Sequence, residues 1–225
     1  MPVSVEIISI GTLSCNRFWN ENSTRRPAHA TTTLLRTDES SIIVDPALPP
    51  QILRPRLDER TGLEPSQVDT VFLTNFCPVH RRGLELFRHA TWLMHADEIE
   101  AMRCFLEDAC TAATARGEPV DELLEQEIKL LDNVQDAPDE LTEQIHLFPT
   151  PGVTPGAASL LVLDDDRTTA VAGDAIINKE YFAHRQAYEQ HSDAAQAVQA
   201  VAELVEIADR IIPGHGDWIF IGSPE

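Results

Sequence analysis

Basic residues are scarce in this sequence. Its 225 residues include 17 Lys or Arg against 37 Asp or Glu, so the formal net charge is -20 at pH 7. A charge of this sign repels phosphate backbones and anionic lipid surfaces at long range. We therefore predict no nucleic-acid or membrane partner. The pairs Arg25-Arg26 and Arg81-Arg82 could hold a small anion, although adjacent surface arginines are usually solvated.

Long apolar runs are also missing. No run reaches the roughly 18 to 20 apolar residues that a helix needs to cross a bilayer. The first residues, MPVSVEIISIGTL, have no basic segment before their apolar positions, and those positions alternate as in a strand rather than forming a signal-peptide core. The sequence therefore predicts a cytoplasmic protein without a membrane span.

Cysteine is sparse and no C-x-x-C pair is present. The four cysteines are Cys15, Cys77, Cys104 and Cys110. In a chain without a secretory signal, reduced thiols are the default. We expect Cys104 and Cys110, which fall in a helical stretch, to fill the core, whereas Cys77 lies in a motif considered below.

Composition and pattern together predict one α/β domain over residues 1–225. Hydrophobic residues make up 43% and charged residues 24%, as in ordinary globular proteins, and this length supports one sizeable core. Helical spacing extends over residues 97 to about 116 and 120 to about 133, which we interpret as a helical insertion at about 97–133. A further helix is predicted from the cap residue Asp193 to about residue 208.

Short β-like runs occur on both sides of this insertion. They predict a hairpin-rich first sheet and a second sheet later in the chain, with strands followed by a helix in each half, an order that favours two sheets with helices outside. The runs are VEIISI, TTTLLRT, SIIVDP, VDTVFLTN and ATWLMH in the first half, and EQIHLFPT, ASLLVLD, TTAVAGD, DRIIPGHG and WIFIG in the second.

Three polar residues follow apolar strand-like runs. His80 follows VDTVFLTN, Asp174 follows TTAVAG and His215 follows DRII, and loops at strand ends are where a rigid scaffold usually carries its chemistry. Two imidazoles and one carboxylate suit Zn²⁺ with a position left for water, and equally suit an iron(II) facial triad. Each residue also has an ordinary explanation as a cap or turn residue, so these positions alone leave metal binding open. Five other histidines have no motif context and are expected on the surface or in the core: His29, His89, His146, His184 and His191.

Four motifs, in the same order along the chain, resemble those of the metallo-β-lactamase family. LTNFCPVHRRG at 73–83 resembles the family's Thr-His-x-His-x-Asp-His-x-x-Gly loop, and TPGVTPGAASL at 150–160 resembles its Thr-Pro-Gly-His-Thr-Pro-Gly-x-x-Ser loop. AGDAI at 172–176 matches the motif of the metal-bridging aspartate, and IIPGHG at 211–216 matches that of the last histidine. The resemblance implies an αβ/βα four-layer sandwich of two mixed β-sheets flanked by helices, and a metal-dependent hydrolase.

The departures from these motifs fall on metal ligands. Asn75 and Cys77 occupy the first two histidine positions, Val79 the aspartate position and Val153 the third histidine position. The resemblance therefore implies that the first metal site has lost its own histidines, and that one ion, zinc or alternatively iron, remains with His80, Asp174 and His215. Cys77 could complete this set as a thiolate ligand, or it could be a small buried hydrophobe.

Three functional hypotheses follow. The first is a hydrolase with a single-metal or impaired site, acting on a small ester, lactone, thioester or amide through Asp174, His80 and His215. The second is a non-catalytic family member that binds a small molecule or a protein partner, and the third is an iron(II) site for oxygen or thiol chemistry. The sequence leaves the oligomeric state open, a homodimer included, as well as the question whether the helical insertion covers the site or contacts a second subunit.

Overall fold

The first six strands form one mixed sheet. The computed structural model describes residues 3–117, 119–164 and 166–221. The spatial order of the strands follows the chain: β1 (Ser4–Ser9), β2 (Thr32–Arg36), β3 (Ser41–Val44), β4 (Thr70–Phe72), β5 (Thr91–Met94) and β6 (Val134–Asp136). β1, β2 and β3 are antiparallel, as the predicted hairpins require, and β3 to β6 are parallel.

The second sheet has the spatial order β12-β11-β10-β9-β8-β7. Its strands are β7 (Glu140–Thr142), β8 (Ile145–Pro149), β9 (Ala158–Asp164), β10 (Arg167–Gly173), β11 (Arg210–Pro213) and β12 (Ile219–Phe220). β10 and β11 run parallel, and the other neighbouring pairs run antiparallel. The residue Asp165, in the turn predicted between β9 and β10, lies outside the described residues.

The helices are α1 (Pro50–Thr61), α2 (Ala96–Ala115), α3 (Glu122–Leu131), α4 (Lys179–Ala183) and α5 (Ala194–Ile207). The predictions of α2, α3 and α5 are confirmed to within a few residues. The side chain of Asp193 accepts hydrogen bonds from two backbone amides at the start of α5, as its cap position predicts. α1 was not predicted because Pro55 lies inside it and its buried residues are Leu53 and Leu57 alone, which is too narrow a stripe to identify from the sequence.

The alternation of side chains along the strands produces four layers. In β3, Ile42 and Val44 lie between the two sheets, while Ile43 packs on the side of α1, α2 and α3. In β10, Val171 lies between the sheets, whereas Ala170 packs on the side of α5. Helices therefore cover the outer face of each sheet, and the predicted sandwich of two mixed sheets flanked by helices is confirmed.

The exposure of the cysteines on α2 differs from the prediction. The prediction that Cys104 fills the core is wrong: it is exposed, and Cys110 is half-buried, because the buried stripe of α2 runs through Ile99, Leu106 and Ala113 instead. Within the described part of the chain, no helix combines the length and hydropathy that a bilayer-spanning segment requires.

Candidate metal centre

The fold brings His80, Asp174 and His215 together. Asp174 follows the last residue of β10, His215 follows β11 by one residue, and His80 ends a single turn of 3-10 helix in the loop after β4. Glycine allows the close approach of two of these segments, since a Cβ at Gly214 would lie 2.5 Å from Oδ1 of Asp174. The three predicted residues thus meet where β4, β10 and β11 end.

The candidate ligand atoms are close and shielded from water. Nε2 of His80 lies 3.0 Å from Oδ2 of Asp174, and Nε2 of His215 lies 3.2 Å from Oδ1. One atom from each of the three residues lies within 4.8 Å of the other two. All three side chains are buried, His80 completely. Together they form a group that could hold a metal ion.

The outer nitrogen of His80 is held by a carboxylate. Nδ1 of His80 lies 2.9 Å from Oδ2 of Asp45. Asp45 in turn accepts hydrogen bonds from the backbone amide of Thr74 at 2.9 Å and from its hydroxyl at 2.7 Å. Since Asp45 can only accept when ionised, Nδ1 of His80 carries a proton and donates it. Asp45 adopts a left-handed backbone (φ 49), which aspartate tolerates better than most residues.

The outer nitrogen of His215 is held by two backbone carbonyls. Its Nδ1 lies 2.9 Å from the carbonyl oxygen of His29 and 3.2 Å from that of Thr12. Thr12 and His29 also pair with each other, since the amide of each donates to the carbonyl of the other, at 2.9 and 3.1 Å. Both carbonyls are acceptors, so Nδ1 of His215 also carries a proton.

The hydrogen bonds at Nδ1 of His80 and His215 determine whether their Nε2 atoms are donors or acceptors. A neutral imidazole with its proton on Nδ1 presents a lone pair at Nε2, and both Nε2 atoms face the Asp174 carboxylate, which is itself an acceptor. Among the described residues, no group has hydrogen-bond geometry to the buried Oδ1 of Asp174, which Nε2 of His215 approaches to 3.2 Å. The Asn75 amide lies 3.3 Å from Oδ2 of Asp174 and from Nε2 of His80, but an added proton or a cation is needed between the facing atoms themselves. Histidine with its second nitrogen bound to a carboxylate or carbonyl is the usual arrangement at protein metal sites, so these residues fit a metal ion.

Without a metal ion, protons take its place. Burial alone would lower the pKa of His80, but the negative charges of Asp174 and Asp45 outweigh it and raise that pKa well above its ordinary value. Burial alone would raise the pKa of Asp174, but the neighbouring His80 and His215 outweigh it and lower that pKa strongly. In metal-free protein, both shifts favour a proton shared between His80 and Asp174 over a neutral imidazole that faces a carboxylate.

One position that departs from the family motifs lies beside this group. Asn75 is completely buried, and its Nδ2 lies 3.3 Å from both Oδ2 of Asp174 and Nε2 of His80. Val79, the neighbour of His80 in the chain, and Val153 are half-buried. A buried amide donor therefore faces the group at one of the positions that depart from the family motifs.

Cys77 lies outside the metal-compatible group, as far as the described residues go. Its side chain is half-buried, and burial raises the pKa of its thiol, so metal-free protein carries the protonated thiol rather than the ligating thiolate at neutral pH. Its role as a fourth ligand remains a prediction.

Sequence reasoning missed several residues that hold the site in place. Asp45 entered only as part of the strand-like run SIIVDP, although a carboxylate directly after an apolar strand is the kind of signal that identified Asp174. His29 contributes its backbone carbonyl rather than its ring, which no residue pattern indicates. Arg81, expected in solvent as one of an arginine pair, is buried: its Nε donates to the carbonyl of Phe76 at 2.8 Å.

Comparison with known proteins identifies the family. The sequence model of the metallo-beta-lactamase superfamily matches residues 25–215, whereas the search of curated proteins gave no significant match.

Several solved structures share the fold. A Thermotoga maritima protein described as a metallo-beta-lactamase is 17% identical, with 98% of this chain and 100% of that chain covered and a TM-score of 0.70. AidC, a dizinc quorum-quenching lactonase in complex with a product, N-hexanoyl-L-homoserine, is 15% identical over 87% of this chain and 80% of its own, with a TM-score of 0.66. An AiiA variant from B. thuringiensis with N-decanoyl-L-homoserine at its active site is 19% identical over 96% and 94%, with a TM-score of 0.64. These low identities support a shared fold, but not a shared activity or substrate. The match of the family model over residues 25–215 shows that the chain belongs to the metallo-β-lactamase superfamily.

Proposed function

We propose that this protein is a metal-dependent hydrolase with a single zinc ion, acting on a small ester, lactone, thioester or amide. The proposal depends on one observation: the inner nitrogens of His80 and His215 and the carboxylate of Asp174 are buried acceptors that face one another. Two nitrogens and one carboxylate oxygen are a ligand set that catalytic zinc uses, with a fourth position left open. Iron(II) would accept the same three residues.

In the proposed reaction, Asp174 and Asn75 have different roles. A bound zinc ion would polarise a carbonyl and lower the pKa of water toward about 7. Valine at position 79 cannot accept a proton, so in this proposal Asp174, a ligand through one oxygen, also accepts the proton of an attacking water through the other; its lowered pKa makes it a weak base. The buried amide of Asn75 is a neutral donor beside Asp174, and such a donor can stabilise negative charge that develops on a substrate oxygen.

The substrate class follows from the apolar walls and from the relatives. Valine at positions 79 and 153 gives the two loops apolar side chains where the family motifs have polar ligands, which favours an uncharged acyl group over an anion. AidC and AiiA are crystallised with N-acyl-homoserines, and AidC is a lactonase. Lactones and thioesters with short acyl chains are therefore the first substrates to test.

A second candidate is a non-catalytic protein that binds a small molecule or a protein partner. The raised pKa of His80 favours it, because a proton shared with Asp174 satisfies the buried acceptors without any metal. Apolar side chains at positions 79 and 153 would then line a ligand pocket.

Metal content separates the two candidates. We would measure zinc in protein purified without added metal and after zinc reconstitution, for the wild type, the double variant His80→Ala, Asp174→Ala, and the control His191→Ala, which changes an exposed histidine. The proposal expects about one zinc per chain in the wild type and control and none in the double variant. Activity on a panel of lactones, thioesters and esters should then be lost with a chelator and in His215→Ala.

Zinc-free wild type at saturating zinc would refute the hydrolase and leave the ligand-binding candidate. Turnover that survives both the chelator and His215→Ala would refute a metal-dependent reaction at this site.

A further inference from the structure

The loop at 73–83 and the loop at 150–160 carry the replaced ligand positions. They contact each other directly, since the amide of Ala158 donates to the carbonyl of Thr74 at 3.0 Å. One carboxylate also joins them: Oε1 of Glu98 accepts from the amide of Phe76 at 3.1 Å, and Oε2 accepts from the amide of Gly156 at 3.1 Å. Each loop therefore donates one backbone N–H to the same side chain.

Glu98 is completely buried in the first turn of α2. A buried carboxylate is costly unless charge-assisted hydrogen bonds compensate it, and the two loop amides supply such bonds. The approach of the second loop is very close: a Cβ at Gly156 would overlap the backbone nitrogen of Glu98. The absence of a side chain at position 156 is therefore part of how this carboxylate reaches both loops.

The peptide groups of Phe76 are also held from the other side. Nε of Arg81 donates to the carbonyl of Phe76 at 2.8 Å, and its guanidinium lies 4.0 Å from the centre of the phenyl ring. Arg81 is buried and pairs with Glu127 of α3. The two helices between β5 and β6 thus fix Phe76 through both its N–H and its C=O.

Phe76 connects this network to the candidate metal centre. Its chain neighbour Asn75 places Nδ2 at 3.3 Å from both Asp174 and His80, and Oδ1 of Asn75 accepts from the amide of Cys77 at 2.9 Å. A shift of the Phe76 backbone would therefore move the Asn75 amide relative to both of these residues.

We infer that Glu98 is a positioning residue: it joins the two loops whose ligand positions have been replaced and, through Phe76, holds the Asn75 amide against Asp174 and His80. The helices α2 and α3 therefore influence the site indirectly, because Glu98 of α2 and Glu127 of α3 fix the loop that carries Asn75. The expected effect on zinc affinity rests on the proposed function, whereas the junction between the loops does not.

The test compares Glu98→Gln and Glu98→Ala with Glu100→Gln, which changes an exposed glutamate on the same helix. Hydrogen exchange and the side-chain amide signals of Asn75 are measured by NMR on metal-free protein. Gln keeps one acceptor oxygen, so we expect at least one of the Phe76 and Gly156 amides to exchange about tenfold faster or more in Glu98→Gln, and both in Glu98→Ala, since a hydrogen bond to a charged group is lost. The Asn75 signals should shift in both variants, with no change in Glu100→Gln.

Unchanged protection of both amides in Glu98→Gln would overturn the junction, and this near-isosteric variant decides the matter even if Glu98→Ala does not fold. Faster exchange with unmoved Asn75 signals would overturn the positioning role. Where the wild type binds zinc, we also expect the affinity in Glu98→Gln to fall about tenfold, the lower end for groups that orient a metal site. A wild type without zinc would refute the proposed function alone, because exchange and the Asn75 signals still test Glu98.

Discussion

The two sides of the candidate site satisfy their polar atoms in different ways. On one side, His80, Asp174 and His215 face inward, and Asp45 and the carbonyls of Thr12 and His29 hold the outer nitrogens of the imidazoles. On the other side the ligand positions are an amide, a thiol and two valines, and the loops are joined from behind by Glu98.

The resemblance to the family motifs implies that ligands and their supporting contacts vary separately. Hydrogen bonds to Nδ1 of His80 and of His215 orient the two Nε2 atoms toward Asp174, although four of the family's ligand positions, 75, 77, 79 and 153, carry other residues here.

The largest effect is expected from a substitution at the centre of the inward-facing side. Asp174→Ala removes the carboxylate between the two imidazoles, so we expect zinc binding and hydrolysis to fall to background. Metal content and kcat/KM measure this, with Asp108→Ala, an exposed aspartate on α2, as the control. Undiminished zinc in Asp174→Ala would contradict the assignment of Asp174 as a ligand.

The second largest effect is expected when a residue that holds a candidate ligand is changed, rather than the ligand itself. In Asp45→Asn a neutral amide replaces the acceptor for Nδ1 of His80, so we expect zinc affinity to fall about 10- to 100-fold. We also expect the free energy of unfolding to fall by about 1–3 kcal/mol, because buried hydrogen bonds to a charged group are lost. Zinc titration and urea unfolding test both, with the exposed Asp58→Asn as the control; equal zinc affinity in the two variants would be evidence against the supporting role.

A third change sharpens the comparison by restoring part of the altered side. Val79→Asp puts back a carboxylate that can accept a proton, and general-base catalysis contributes about 10²- to 10⁴-fold where it is well placed. Since the loop is not otherwise adapted to it, we expect roughly a tenfold gain in kcat, below that range. Val198→Asp, at an exposed position on α5, controls for the added charge. A Val79→Asp variant no faster than wild type would show that Asp174 already provides the base.

The smallest expected effect is the dependence of the free energy of unfolding on pH in metal-free protein. The pKa of His80 is raised in the folded state, so its contribution to stability is complete below the unfolded pKa of about 6.5 and is lost as pH rises through the raised folded pKa. We expect the free energy of unfolding to decline as the pH rises above about 6.5, by at most about 1.4 kcal/mol per pH unit. The slope should be smaller in His80→Asn and unchanged in His191→Gln, which changes an exposed histidine. The same slope in His80→Asn as in wild type would place the titrating group elsewhere.

The sequence predicted the inward-facing side well because its residues follow recognisable strands. His80, Asp174 and His215 each come shortly after an apolar run that forms β4, β10 or β11, and ends of strands in packed sheets meet at common edges. The short strands β6 and β7 escaped notice, since three residues with mixed polarity give no reliable alternation. α4 escaped for a related reason, because five residues are barely one turn of helix.

The supporting contacts could not be predicted, for a different physical reason. His215 depends on carbonyls of Thr12 and His29, and every residue has a carbonyl, so nothing in the side-chain pattern marks these two. Glu98 looks like one more acidic residue in the first turn of a helix, and Arg81 like a surface arginine. Their roles arise only when segments distant along the chain pack together.

The pairing of Thr12 with His29 separates the orientation of His215 from the packing of the loop between them. The two residues close a loop of residues 13–28, and their carbonyls hold His215 at the base of that loop. The segment beyond the base packs against α4 and the residue after it: the ring of Phe18 stacks on that of His184, and Nε1 of Trp19 donates to Glu180. A substitution in this segment would therefore act first on these contacts, while the backbone pair at the base continues to orient the imidazole of His215.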